Sequence, residues 1–549
     1  MQIKRAATVS YPFSDDNSAS LTTRRPFKMP MQKIKSMLRT FAKGSTSDQR
    51  EQKKLSLYRL APLFLLMLYA ICSVIRLASS SSYSFYLAQA TDSFVAEMSS
   101  DLESFTTHIS SNLNYLQASE ENTAHRCSDL INGRMVRMSS FGDEGLLCCD
   151  RSHNRTDVCY MRGDIRTDAN SSSISVYGAG PWQVPETIRP YTRKWETEIM
   201  STIDNITLLP VASSINNGSP SKACEKRHGV PGLVFSTGGY TGNLYHEFND
   251  GLIPLFITAQ RFHGEVVLVV MEYHSWWMTT YRPVIRKLTN YKVVDFSRDR
   301  RVHCFSEMIV GLRIHGELSI DPLLMPEGIG IQDFRALLGQ GLGDSQLKPQ
   351  EARPPLVAPP PASASHSNRR CSTSKPKMTI IIRSKSRVLL NLDEIVKACE
   401  HIGFEVQVLK PKRGMPLTVI HDALDAADVM LAVHGAAMTH FLFMRPRSVL
   451  IQIVPLGLDW AAETYYGEPA RKLGLEYMAY RVRPGESSLS KEYHRRSPVL
   501  MDPSIITRQG WWETKRIYLD RQNIKVNIGR FSRVLAKAHS HICKLYASV

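Results

Sequence analysis

No G-x-G-x-x-G run opens a helix in this chain, and no G-x-x-x-x-G-K-[ST] occurs. The first absence argues against a dinucleotide oxidoreductase and the second against a P-loop nucleotidase. Each of those chemistries needs its glycines at that spacing to bring backbone N–H groups against phosphate. Asp-x-Asp, a motif that holds a divalent metal against a diphosphate, is missing as well. Cysteine is sparse, with ten in 549 residues, and no C-x-x-C is present, so zinc has little support. Acidic residues are in deficit, 51 against 68 Lys and Arg, which leaves a net charge of +17. No helix-turn-helix, zinc-finger or RNA-stacking signature accompanies that excess, so no nucleic-acid partner is expected.

The excess has a location. Residues 1–59 carry thirteen Lys and Arg against four acids, about half of the total. Directly after this tail comes LAPLFLLMLYAICSVIRLA, residues 60–78, an apolar run with Arg59 before it and Arg76 near its end. Such a run spans a bilayer core when flanking arginines snorkel, and it begins too far in for a cleaved signal peptide. Basic residues on its N-terminal side keep that side cytosolic. The expectation is a single-pass signal anchor of type II, with everything beyond residue 78 luminal. Nine of the ten cysteines lie beyond the run, five of them between Cys127 and Cys224, which suits disulfides in an oxidising compartment. Nine is odd, so at least one is free or pairs between chains. N-x-S/T sequons at Asn154, Asn170, Asn205 and Asn217 fit a glycosylated luminal segment.

A Ser-rich stretch over 79–125 reads as a stem. KPQEARPPLVAPPPASASHSNRR, inside the 348–372 segment, cannot build a core and reads as a linker or exposed loop. It divides the luminal part into a lobe over 126–347, on the acceptor side, and a lobe over 373–549, on the nucleotide side. In the second lobe MTIIIR, FEVQVLK, VMLAV and SVLIQIVP are short strands alternating with helical segments. One of these, NLDEIVKACEHIG, is expected to start with Asn391 as N-cap and Glu394 completing a capping box. That alternation means a parallel, doubly wound sheet. The first lobe alternates less cleanly, with LIPLFITAQRF helical and EVVLVVMEY, YKVVDF and EMIVGL as strands. The fold class is α/β, two Rossmann-like lobes facing a cleft, after a transmembrane helix and stem.

Ligands of such sheets bind beyond the carboxyl ends of the strands. After MTIIIR come Arg383, Lys385 and Arg387. After VMLAV come His434, Gly435 and Ala436, small residues that let the backbone approach a ligand before the next helix begins. Together they describe a cradle for a diphosphate; separately they are a basic loop and an ordinary turn. In the first lobe TGGYTGNLYHEFNDGLIPLF sets Asn243, His246, Glu247, Asn249 and Asp250 before an apolar helix. On a helix, His246 and Asp250 are four apart and share a face, whereas Glu247 points elsewhere. Either is a candidate base, and a helix-capping histidine is the plainer alternative.

Those motifs, with RSKSRVLLN, AVHGAAMTHFLFMRP, IQIVPLG, YGEPARKLGLEYMAY and ESSL in this order, resemble plant glycosyltransferase family 61 from about Cys127 to Ala536. The resemblance implies an inverting, two-Rossmann GT-B enzyme. Animal members add N-acetylglucosamine to protein hydroxyls, and grass members decorate xylan in the Golgi with arabinofuranose or xylose. Asn243, His246 and Asp250 match the family's N-x-x-H…D pattern, and His434 and Gly435 its H-G turn. Glu247 stands where many plant members have Asp, and the Pro/Ser insertion is peculiar to this chain. What the resemblance implies is a Golgi membrane transferase with a UDP-pentose donor and a xylan acceptor, alone or in homo- or hetero-oligomers with other Golgi glycosyltransferases; the missing Asp-x-Asp leads us to expect no metal or other cofactor. A membrane-anchored carbohydrate-binding or scaffolding protein of the same fold is the alternative. A glycoside hydrolase using Glu247 and Asp250 would leave the diphosphate cradle unexplained.

Overall fold

Strands covered on both faces need unbroken apolar runs rather than alternation. Val429–Val433 meets that demand and Val449–Val454 meets it but for Gln452, and both are buried at every position. The computed structural model describes residues 127, 130–131, 145–180, 183–212, 223–343, 371, 375–412 and 414–547, all within one unit, Tyr115–Val549. The basic tail, the 60–78 run, the stem, nearly all of the 348–372 segment and Asn217 lie outside them. No helix among the described residues is long and apolar enough to cross a membrane.

The first half builds a ten-stranded sheet. Its strands are β1 (Leu146–Asp150), β2 (Val158–Asp168), β3 (Ser173–Tyr177), β4 (Glu186–Ile188), β5 (Ile206–Val211), β6 (Lys226–Arg227), β7 (Gly232–Ser236), β8 (Val267–Met271), β9 (Val294–Asp295) and β10 (His303–Val310). They lie in the order β4-β5-β3-β2-β10-β7-β8-β9, with β1 beside β2 and β6 beside β10. From β10 to β9 the strands are parallel, but β2 runs antiparallel to β10, β1 and β3. The expected Rossmann-like first lobe is corrected to a parallel half fused to a mixed extension. Loop length is the reason: the few residues joining β1 to β2 and β2 to β3 are too short for a parallel crossover.

The second half forms a five-stranded sheet from β11 (Lys377–Ile381), β12 (Glu405–Leu409), β13 (Val429–Val433), β14 (Val449–Val454) and β15 (Glu476–Arg481). All pairs are parallel and the order is β12-β11-β13-β14-β15. The order reverses between β11 and β13, which opens a crevice beyond their carboxyl ends. The capping box expected at Asn391 does not form. Asn391 precedes helix Leu392–Ile402 but makes no side-chain cap. Its amide pairs instead with the backbone of Val526, accepting at 2.9 Å and donating at 2.9 Å, and donates to Glu394 at 3.0 Å. Tethering the C-terminal segment outcompetes the local cap.

One apolar core runs through both halves. Phe248, Phe334 and Phe443 meet edge to face there, at 6.4 Å and 6.1 Å from Phe248. Each fully buried ring contributes about 1.5–3 kcal/mol, so the segment carrying Phe248 is held against the second sheet. Disulfides Cys127–Cys148, Cys149–Cys159, Cys224–Cys304 and Cys371–Cys543 leave Cys399 free and buried. Asn154, Asn170 and Asn205 are all exposed.

Candidate active site

The site begins where β7 ends. After Ser236 a glycine loop leads to Asn243, whose side chain accepts from Tyr245 N at 3.1 Å and caps the turn Leu244–His246. The helix widens into a π-turn over Glu247–Leu252 before resuming at Ile253–Ala259. Through that turn His246 Nδ1 lies 2.7 Å from Asp250 Oδ2. Asp250 is only 1% exposed, and it also accepts from Arg193 Nε at 2.9 Å and Asn249 Nδ2 at 2.7 Å. Burial pushes this carboxyl's pKa up, but the His246 hydrogen bond and the Arg193 charge outweigh it and hold it below the ordinary value.

An ionised Asp250 biases the imidazole tautomer. Nδ1 meets the acceptor Asp250 Oδ2 at 2.7 Å and the donor Arg193 Nη2 at 3.1 Å; the nearer carboxylate favours the proton on Nδ1, which leaves Nε2 a lone pair with which it can act as base. Among the described residues Nε2 has no hydrogen-bond partner. Tyr240 stacks on the ring at 4.3 Å, and its hydroxyl donates to Glu196 at 2.7 Å. Glu196 in turn accepts from Arg193 Nη1 at 2.8 Å. Imidazole, carboxylate and guanidinium thus form one network, with Asp250 too deep to touch an acceptor and His246 at its surface.

Glu247 and Asn249, expected on the acceptor side, turn inward. Glu247 accepts from Gly242 N at 3.0 Å and from the Tyr281 hydroxyl, while Asn249 Oδ1 accepts from Leu318 N at 2.7 Å. The roughly 100° advance per helical residue carries these two away from the face His246 and Asp250 share. Asn243 also serves the backbone, as the cap.

The second half of the site lies at the β11/β13 reversal. Gly435 follows β13 with φ +145°, and a Cβ there would fall 2.4 Å from Arg383 Nη1 and 3.1 Å from Arg387 Nη1. Only glycine lets the backbone lie under both guanidinium groups. Arg387 itself has φ +56° and donates from Nη1 to the His434 carbonyl at 3.1 Å; its buried Nε has no partner among the described residues. Neither Arg383 nor Arg387 pairs with a carboxylate among the described residues. Burial lowers both pKa values, that of Arg387 to about 9, with the Arg383 charge adding to the effect. A buried and a half-buried cation without a carboxylate partner among the described residues suit an anion. His434 is neutral, pushed down to about 3 by burial and the two arginines. Gln452 Nε2 donates to its Nδ1 at 2.8 Å, so its Nε2 bears the proton. Ala436 opens the 3₁₀ helix Ala436–Phe443, and Lys385 is exposed on its loop.

The halves touch. Tyr245, next to His246, packs its ring 6.1 Å from that of Tyr466, whose hydroxyl donates to the Gly435 carbonyl at 3.0 Å. Arg193, Tyr240 and Tyr466 are the parts that sequence reasoning missed. Arg193 sits in YTRKW, far from His246 in sequence, and no spacing rule joins them. Tyr240 and Tyr466 stand inside the quoted motifs, where an aromatic beside a glycine was the available signal. A His/Cys group elsewhere, Cys371, His539 and Cys543, has its two thiols tied in a disulfide.

A candidate base and two cations without a carboxylate partner, on segments that pack together, suit an enzyme that moves a group off an anionic leaving group. Residues 244–451, which hold both halves but not Arg193, match the family model described as Glycosyltransferase 61. The chain is 48% identical over 402 residues to xylan glycosyltransferase MUCI21 of Arabidopsis thaliana, covering 72% of this chain and 80% of that one. It is 36% identical to beta-1,2-xylosyltransferase XYXT1 of Oryza sativa subsp. japonica, over 75% of this chain and 88% of that one. To alpha-1,3-arabinosyltransferase XAT3 of the same plant it is 34% identical, over 75% and 68%. The chain belongs to plant glycosyltransferase family 61.

Proposed function

We infer that this protein transfers a pentose, xylose or arabinofuranose, from a UDP-sugar to a hydroxyl of xylan with inversion. The observation that carries the reading is the His246–Asp250 pair set beside the unpaired Arg383 and Arg387. His246 Nε2 takes the proton of the acceptor hydroxyl as its oxygen attacks the anomeric carbon. The bond from that carbon to the UDP oxygen breaks on the opposite face, and UDP leaves with its pair of electrons. Arg383 and Arg387 take up the charge developing on the diphosphate, and Asp250 stabilises the imidazolium.

The acceptor comes from the relatives, whose names specify xylan, xylosyl and arabinosyl transfer. Two sheets meeting at His246 and Gly435 suit a GT-B arrangement. The apolar run at 60–78, behind a basic tail, supports a Golgi membrane anchor with the catalytic part luminal. The two arginines supply charge that a metal would otherwise bring, which supports metal-independent transfer.

Incubating the detergent-solubilised full chain with xylo-oligosaccharide and a panel of UDP-pentoses tests the reading. A pentosylated product of inverted anomeric configuration, formed equally with EDTA, is expected. UDP release from none of the panel refutes the transferase reading, and loss of activity with EDTA refutes its metal independence.

A further inference from the structure

A second concave site lies on the other side of the glycine loop. It is a pocket of about 530 Å³, within the range of small-ligand sites. Thr202, Gly239, Thr241, Glu272, His274 and Arg298 line it. Its position follows from topology: β7 and β8 end at Ser236 and Met271, and the pocket opens just beyond both carboxyl ends.

Glu272 is built for this place. It holds φ +51°, a left-handed conformation rare for a residue with a side chain and one that clusters at functional sites. Its carboxylate accepts from the Ser236 hydroxyl and from Asp204 N at 3.0 Å, leaving further lone pairs on both oxygens. Gly238 makes the fit, since a Cβ there would fall 2.5 Å from Glu272 Oε2. Burial raises the carboxyl's pKa in spite of those hydrogen bonds. Around it the lining offers hydroxyls, an imidazole and a guanidinium, groups that both give and take hydrogen bonds.

The pocket and the candidate base share one loop. Gly239 and Thr241 line the pocket, while Tyr240 between them stacks on His246. Gly239 also presses on the ring of Tyr191, whose hydroxyl accepts from Tyr240 N at 3.2 Å and reaches Asp250 at 3.5 Å. Pocket and candidate base are therefore joined through a single residue of the loop, Tyr240. Arg383 and Arg387, the cations placed to meet a diphosphate, are not in the pocket's lining, so it is distinct from the donor's diphosphate site.

The geometry points to an acceptor subsite: this pocket takes a neutral pyranose of the acceptor chain, one unit removed from the sugar that receives the pentose. The assignment rests on the transferase reading above for what the ligand does, and on the pocket alone for where it binds. Glu272 accepts hydroxyl hydrogen bonds there, and Tyr240 couples occupancy to the position of His246.

Ser297 is exposed at the rim, and among the described residues only its backbone N–H is bonded, to Asp295. Ser297→Trp fills the pocket without touching the base or the arginines. Xylohexaose titrated into the full chain by calorimetry should bind at least 10-fold more weakly to Ser297→Trp and to Glu272→Gln. In Ser297→Trp, UDP affinity and acceptor-free hydrolysis of the donor should not change. Wild-type affinity for xylohexaose in Ser297→Trp overturns the subsite, as does absence of any millimolar binding to the unaltered protein. Binding that Ser297→Trp abolishes, in a protein that transfers from no UDP-pentose, upholds the subsite and overturns the transferase reading instead.

Discussion

Replacing Asp250 by Asn tests the core of the mechanism with almost no change of shape. The carboxylate accepts three N–H donors, from His246 and Arg193 at one oxygen and Asn249 at the other. An amide accepts at its oxygen only. If Nδ2 faces His246 it meets two donors, and the imidazole must flip its proton to Nε2, which abolishes the base. If Nδ2 faces Asn249 it meets that residue's own amide hydrogens, because Asn249 Oδ1 is held by Leu318 N. Either way the charge that stabilises an imidazolium is gone. Turnover should fall by about 100-fold or more, the scale of losing a general base. His246→Ala should cost as much, and the double variant little more than either single one, because paired groups act as a unit.

Stability should fall by about 3 kcal/mol, the lower end for breaking a buried ion pair, since Arg193 keeps Glu196. The pH dependence carries its own sign. The folded carboxyl lies below its unfolded value, so its contribution is complete above about pH 4 and is lost as pH falls toward the folded pKa. Asp250→Asn should lack that part of the acid unfolding limb. Turnover is read with xylo-oligosaccharide and UDP-pentose, UDP binding by calorimetry, and stability by urea melts from pH 7 to pH 3. Turnover within a few-fold of wild type in both Asp250→Asn and His246→Ala refutes the base assignment, and the stretch is then a structural loop.

Arg383→Ala and Arg387→Ala should each weaken UDP binding by about 10- to 100-fold, the loss of one charge-assisted contact to a diphosphate; unchanged affinity in both means that the anion site lies elsewhere. Gly435→Ala should match them, since its methyl group displaces Arg383, and a variant with normal UDP affinity contradicts that packing. Phe248→Ala should lower stability by about 3–5 kcal/mol in urea melts, because the ring joins the two halves of the core. Asn154, Asn170 and Asn205 should carry glycans when the protein is expressed in plant cells, and the tail before residue 60 should be digested in sealed vesicles; a protease-sensitive C-terminus in those vesicles reverses the orientation.

The second lobe was legible because its signals are local. Apolar runs such as VMLAV stand between turn residues, and β11 to β14 appeared where those runs stood, whereas β15 was not among the expected strands. The pairing of His246 with Asp250 was legible for the same reason, since four residues on a helix settle who is neighbour to whom. The sequence alone also determined that one of nine cysteines past the apolar run must lack a partner within the chain; the structure made it Cys399. What it could not carry were contacts whose partners lie far apart. Arg193 reaches Asp250 because β4 and the π-turn converge in space, and nothing in YTRKW announces it. Asn391 abandons its expected cap because Val526, 135 residues on, offers two backbone hydrogen bonds. The antiparallel extension of the first sheet and the approach of Gly435 to Arg383 were decided the same way. Local propensities are worth tenths of a kcal/mol per residue, whereas a buried charge or amide left without a partner costs several, so wherever the two conflicted the tertiary partner prevailed.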